Sequence, residues 1–385
     1  MAQFHPPRDI YTGRGCRESV GEKAAALGGR RALLVSDPGV MSAPAAEDVR
    51  SALRAAGLTV FTYDGVTAEP TVAMVEAGIR DYRSNDCDIV VGLGGGSPMD
   101  AAKAIAVMVS AGEVSLPSFE GANKIPPGRP PLICLSTTAG TGSEVTPFSI
   151  ITDQERDVKM LIASPELLSD ASFSDPALGD TAPLRATIYA GLDALTHAIE
   201  AYVSRRAQPL TDDLALSAIR RISASIVAAC SEEPHWAARD EMTLAAMEAG
   251  LAFANSSVAL VHGMARPIGA IFHLPHGLSN AILLGSVMEF SLEAAAERYA
   301  SIADALGCHV AGMDATEAAR LGLDRVKELT AALGTPTLRG AGADPDLFEE
   351  SVPKMADDAL ASGSPANNPR VPTADEIVQL YREVL

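Results

Sequence analysis

Two short segments of the chain concentrate residues that can hold a cation. In DALTHAIEAY, residues 193–202, Asp193 and His197 stand four apart and so share one face of a helix, where a carboxylate and an imidazole reach the same ion. In VHGMARPIGAIFHLPHG, residues 261–277, His262, His273 and His276 fall in an otherwise apolar run, where imidazoles need partners. Four of the seven histidines lie in these two segments, and one carboxylate with imidazoles suits Fe²⁺, Zn²⁺ or a similar divalent ion. His273 and His276 compete for one ligand place. Between Glu248 and Glu289 the only formally charged side chain is Arg266, which is either paired with a carboxylate from elsewhere or aimed at an anion.

A second chemistry belongs to the first half. GLGGGSPMDAAK, residues 92–103, sets three glycines and a serine at a strand-to-helix turn, where backbone N–H groups approach a phosphate without a Cβ in the way. It is not the G-x-G-x-x-G fingerprint, and a tight turn with no ligand is its plainer reading. STTAGTGSEVT, residues 136–146, again follows a strand and crowds hydroxyls with glycines, so two cradles after two strands suggest a dinucleotide. Asp37, at the carboxyl end of an apolar run and before Pro38, either accepts from an adenosine ribose or starts a turn.

Elements must place these residues. Short apolar runs at 31–37, 58–64, 87–94 and 131–137 read as strands, and amphipathic stretches at 45–56, 71–84 and 98–111 as helices between them. This predicts a doubly wound, mainly parallel α/β domain over residues 1–180. From 181 to 385 Ala, Leu, Glu and Ile recur at helical spacing, at 186–205, 211–229, 237–253, 292–306 and 315–333, which predicts an all-helical domain.

Composition narrows the function. A chain of 385 residues with 47% hydrophobic and 21% charged residues is globular, and 30 basic against 49 acidic residues, net −19, repel nucleic acid. Five scattered cysteines without a C-x-x-C pair suit free thiols in the cytoplasm, and the N-terminus lacks an apolar targeting core. The longest uncharged stretch, residues 267–288, matches a bilayer in length but carries prolines, histidines and glycines, so no membrane partner is expected.

Together these segments resemble the iron-containing alcohol dehydrogenases over most of the chain. The matching pieces are GGGSPMDAAK, KIPPGRPPLICLSTTAGTGSEVTPFSIITD, DALTHAIEAY, HGMARPIGAIFHLPHG and NNPR with ADEIVQLY near the C-terminus, in that order. The resemblance implies a dinucleotide-binding α/β domain and an all-α domain with a cleft between them. Carried over, the metal ligands fall on Asp193, His197, His262 and His276, which leaves His273 near the nicotinamide. Gly95, Gly96 and Ser97 fall to the cofactor pyrophosphate, and Asp100 is a further cofactor-binding position. Thr137, Thr138, Thr141, Ser143 and Val145 fall to the ribose side, and Lys159 matches a lysine near the cofactor. Asp37 matches the acidic residue that favours NAD(H) over NADP(H). Many relatives carry histidine where Arg266 stands.

The expected activity is reversible hydride transfer between NAD(H) and a small aldehyde or primary alcohol, with Fe²⁺, or Zn²⁺ in its place, as Lewis acid. His273, the cofactor ribose or water relays the proton, and Arg266 points to a substrate bearing a carboxylate, phosphate or phosphonate. Small neutral aldehydes and diols are the alternative substrates. A dehydroquinate-synthase-like metal enzyme and a silent nucleotide-binding regulator are alternatives of other classes. The partner is a small molecule, and a homodimer is compatible with the sequence.

Overall fold

The computed structural model describes residues 3–67, 69–112, 114–156, 158–233 and 235–385. Two compact units emerge, His5–Ala182 and Pro183–Leu385, the latter joined by Gln3 and Phe4.

Strands of the first unit are β1 (Asp9–Thr12), β2 (Arg31–Val35), β3 (Thr59–Tyr63), β4 (Ile89–Gly94), β5 (Gly121–Ala122), β6 (Leu132–Ser136), β7 (Phe148–Asp153), β8 (Val158–Ala163) and β9 (Ala171–Ser174). Six form one sheet in the order β1-β9-β6-β4-β2-β3, with every pairing parallel. Parallel neighbours require crossovers, supplied here by helices that include α1 (Val20–Ala26), α2 (Pro38–Met41), α3 (Pro44–Ala55), α4 (Val72–Ser84) and α5 (Gly96–Met108). Alternation along the strands feeds two cores. Leu33, Val90 and Leu132 pack with Met99 and Ile105 of α5, while Leu34, Val91 and Ile133 pack with Val49 and Leu53 of α3.

The four strands expected from the apolar runs are β2, β3, β4 and β6. The sequence reading passes over β1, β9 and the small sheet β5-β8-β7, in which β7 and β8 are antiparallel. β1 is a four-residue edge with alternating exposure and β9 reads ASFS, too short and too polar to register as an apolar run. The glycine loop therefore follows the fourth strand in the chain. Parallel pairing still brings the carboxyl ends of the adjacent strands β2, β4 and β6 to one edge, so Asp37, Gly95–Ser97 and the loop from Thr137 are neighbours by topology.

The second unit is built from α6 (Leu184–Val203), α7 (Pro209–Ala229), α8 (Trp236–Asn255), α9 (Leu260–Phe272), α10 (His276–Ser291), α11 (Ala296–Ala305), α12 (Ala315–Ala332), α13 (Pro345–Ala361) and α14 (Ala374–Glu383). The uncharged stretch 267–288 divides between α9 and α10, with His273 in the left-handed conformation (φ 54°) closing the first. Among the described residues no single helix is long and apolar enough to cross a membrane.

Gly94 links β4 to the cradle at φ 152°, and a Cβ there would stand 2.6 Å from Pro98 Cγ at the start of α5. Gly94→Ala is expected to cost ~1–3 kcal/mol of stability through this overlap, seen as a lowered thermal midpoint with weaker NADH binding. An unchanged midpoint would show that the turn tolerates a side chain.

Candidate functional site

In the helical unit, α6 buries everything from Gly191 to Val203, including Asp193, His197 and Glu200. Asp193 Oδ1 lies 3.6 Å from His262 Nε2 on α9 and 3.7 Å from His276 Nε2 at the start of α10. All three atoms fall within 4.8 Å of one another. Donors bound at ~2.0–2.1 Å around a tetrahedral ion lie ~3.4 Å apart, so modest movement closes this set on a metal. His197 Nδ1 is 3.9 Å from the other oxygen of Asp193, its ring stacked between Phe253 (4.2 Å) and His262 (4.4 Å).

The amide of Asn280 reports on what the cluster is built to hold. Its Nδ2 lies 2.7 Å from Asp193 Oδ1, 3.1 Å from His262 Nε2 and 3.3 Å from His276 Nε2, while its fully buried Oδ1 has no hydrogen-bond partner among the described residues. An amide nitrogen offers two hydrogens to three acceptors. One carboxylate and imidazoles gathered on such a point fit a divalent cation.

Charge in the cluster is strongly coupled. Burial alone would raise the Asp193 carboxyl, but His197, His276 and His262 outweigh it and hold the group well below the usual carboxylate range. Burial alone would lower His262, but Asp193 and Glu200 outweigh it and raise the imidazole to about 9. Protons and a metal ion compete here for the same lone pairs.

Arg266 lies one turn beyond His262 on α9 and is partly buried. Among the described residues it makes no hydrogen bond and no ion pair. Burial works against its cation, and Glu200 offsets this in part. The structural ion pair entertained for this residue is thus absent among the described residues. His273 is exposed at the end of α9, three residues before His276 and outside the cluster.

In the α/β unit the glycine loop starts α5, with Gly95 as its N-cap. A Cβ on Gly95 would stand 3.4 Å from Thr138 Cγ2, and one on Gly96 3.3 Å from Thr141 Cγ2, so the two loops lie close together with bare backbone between them. The buried Thr138 Oγ1 has no partner among the described residues. Free first-turn amides, an uncommitted hydroxyl and bare backbone fit a pyrophosphate.

Other expected cofactor residues already have partners. Asp37 Oδ1 accepts from Val40 N at 2.9 Å and caps α2, leaving its second oxygen without a hydrogen bond among the described residues. Asp100 accepts from Ser143 Oγ (2.9 Å) and Ile150 N (3.0 Å), so its carboxylate braces the second loop from below. Thr137 N donates to Gly94 O at 3.0 Å, tying the loops together, and Val145 is fully buried. Lys159, on β8, pairs with Glu69 at 2.6 Å.

Comparison with known proteins agrees with this arrangement. The iron-containing alcohol dehydrogenase model matches residues 7–176, and the C-terminal model of the Fe-containing alcohol dehydrogenase family matches residues 187–385. The chain belongs to the iron-containing alcohol dehydrogenase family. It is 37% identical to 1,3-propanediol dehydrogenase of Citrobacter freundii over 100% of this chain and 98% of that protein. A crystal structure of 1,3-propanediol oxidoreductase superposes with a TM-score of 0.97 at 36% identity, covering 100% of both chains. Sulfoacetaldehyde reductase from Bifidobacterium kashiwanohense, solved with NAD+, gives 0.88 at 28% identity over 100% of this chain and 98% of that one. The protein is accordingly an NAD-linked alcohol dehydrogenase with iron as its family metal.

Four residues escaped the sequence reading. Glu200 and Asn280 contact the candidate ligands, as described for Asn280 above. Gly277 lets α10 press against α6: a Cβ there would stand 2.1 Å from the Tyr189 carbonyl oxygen and 3.3 Å from Asp193 Cβ. Lys103 is fully buried, and its Nζ faces Ser143 O (2.5 Å), Ser143 Oγ (2.9 Å), Phe148 O (2.9 Å), Thr146 O and Thr146 Oγ1 (both 3.1 Å), clamping the second loop to α5.

Gly277→Ala is expected to move His276 away from Asp193 and weaken Zn²⁺ binding about tenfold or more in a chelator-competition titration. Lys103→Met should raise the KM for NADH by about tenfold or more while metal content per chain is unchanged, because it leaves the oxygens of the loop without their cation. Parallel losses of metal and cofactor in Lys103→Met would mean that the lysine supports only the fold.

Proposed function

We propose that this enzyme reversibly reduces a small aldehyde carrying an anionic group, with Asp193, His197, His262 and His276 as the iron ligands and Arg266 as the anion's partner. The observation that carries the substrate class is Arg266 itself: a partly buried guanidinium, one turn from His262, with no hydrogen bond or ion pair among the described residues. A guanidinium in that position is a ready fork for a carboxylate, phosphate, phosphonate or sulfonate. The likeness to a sulfoacetaldehyde reductase lends support, since that substrate is an aldehyde with an anionic end.

A divalent ion in the cluster supplies Lewis acidity toward the reacting oxygen. The chain's own residues prepare the site for it. Asp193 contributes the negative charge that favours a cation, and the ring of His197 is held by stacking on Phe253. Arg266 fixes the far end of the substrate, so that binding energy remote from the aldehyde goes into orientation. In the other unit the glycine turn at Gly95 and Gly96 receives the pyrophosphate. The uncommitted oxygen of Asp37 receives a ribose hydroxyl, which favours NAD(H) because a 2′-phosphate would face a carboxylate. His273, exposed and close in sequence to His276, is the proposed proton relay. The cytoplasm is the proposed location, in keeping with free thiols at all five cysteines.

A second reading, reduction of neutral aldehydes or oxidation of diols, is favoured by the 37% identity to a 1,3-propanediol dehydrogenase. An aldehyde panel at matched size separates the two, with succinic semialdehyde, phosphonoacetaldehyde and sulfoacetaldehyde set against butyraldehyde and 3-hydroxypropionaldehyde. Arg266→His is expected to cut kcat/KM for the preferred anionic aldehyde by about 30-fold, equivalent to ~2 kcal/mol, and to spare the neutral ones. Higher kcat/KM for neutral aldehydes in the unmodified enzyme, or equal losses for both groups in Arg266→His, would establish the second reading.

A further inference from the structure

Glu200 occupies the face of α6 that carries Asp193 and His197, seven residues after the first and three after the second. It is buried, and its carboxylate accepts from three backbone N–H groups at the start of α9: Ala259 (2.9 Å), Val261 (2.5 Å) and His262 (3.4 Å). The same carboxylate lies 2.6 Å from His262 Nδ1, its only ion-pair partner among the described residues.

Capping a helix does not require a buried charge. A Ser or Asn satisfies first-turn amides without the desolvation cost of a carboxylate. What a carboxylate adds is a strong, acceptor-only contact to the imidazole. Because Glu200 can only accept, Nδ1 of His262 bears a hydrogen, and Nε2 is left as the ring atom able to offer a lone pair. Nε2 is also the atom that faces Asp193 Oδ1 at 3.6 Å. The backbone contacts keep the carboxylate from turning, so the ring is held both in tautomer and in direction.

We propose that Glu200 is a positioning residue for the metal, locking His262 in its Nδ1–H form and aiming Nε2 into the cluster. The inference rests on the reading of Asp193, His262 and His276 as ligands. Its effect is exerted through His262, with no contact between Glu200 and the ion.

The test is Zn²⁺ affinity by chelator competition on the full-length protein and its Glu200→Gln, Glu200→Asp and His262→Ala variants, with NADH binding followed in parallel. Glu200→Gln is expected to bind Zn²⁺ about 10- to 100-fold more weakly with NADH affinity unchanged, and Glu200→Asp to recover part of the loss. Zn²⁺ affinity in Glu200→Gln within about threefold of the unmodified protein, alongside a large loss in His262→Ala, would overturn the positioning role and leave the ligand reading standing. Unaltered affinity in His262→Ala would overturn both. If Glu200→Gln does not fold by circular dichroism, ¹⁵N-histidine NMR of the zinc-loaded unmodified protein decides the matter. A proton on Nδ1 of His262, assigned by its disappearance in His262→Ala, supports the proposal, and a proton on Nε2 overturns it.

Discussion

A carboxylate buried on a helix has to be answered by positive charge or by hydrogen, and Asp193 is answered by imidazoles drawn from two other helices. This demand organises the helical unit. It brings α9 and α10 to α6, fixes which side of each ring faces inward, and leaves room for glycine alone where α10 meets the Tyr189 carbonyl. Burial makes the arrangement costly unless protons or a cation stand between the carboxylate and the imidazoles. The amide of Asn280, turned nitrogen-inward with its oxygen unmatched, is the local response to that crowding.

The α/β unit solves the mirror problem. There the buried ion is a cation, Lys103, and the surrounding groups are oxygens of one loop and of the first residue of β7. Burial pushes the lysine downward, with Asp100 opposing the shift, and Asp100 is also pinned by Ser143 and Ile150. A loop rich in glycine and small hydroxyls has little core of its own to order it. Buried electrostatics supply the order that packing cannot, and they leave the glycine backbone bare for a ligand.

Much of this was legible in the sequence because the chemistry is periodic. Asp193 and His197 announce themselves by helical spacing, and the strands β2, β3, β4 and β6 by continuous apolar runs. The cradles show because glycine clusters at strand ends have few other uses. Glu200 shares the helical spacing, but a glutamate on a helix is ordinarily solvated, so nothing local distinguishes it. Lys103 is hidden for the same reason, since only the fold reveals that its ammonium is enclosed. Gly277 requires knowing which helix lies opposite. For His273 and His276 the sequence offered two equivalent imidazoles three residues apart. Both rings are exposed, but the break between α9 and α10 separates them, turning His276 toward Asp193 and leaving His273 outside the cluster.

The candidate ligands are also far apart along the chain. Roughly seventy residues, including all of α7 and α8, lie between Asp193 and His262, so an ion shared by them would join segments that meet only in the folded chain. Such an ion binds the folded chain and not the unfolded one, so it stabilises the fold by its binding free energy, in a protein whose five thiols are all unbridged. An ion held by these ligands would on that account protect the folded chain from proteolysis, apart from any part that it plays in turnover.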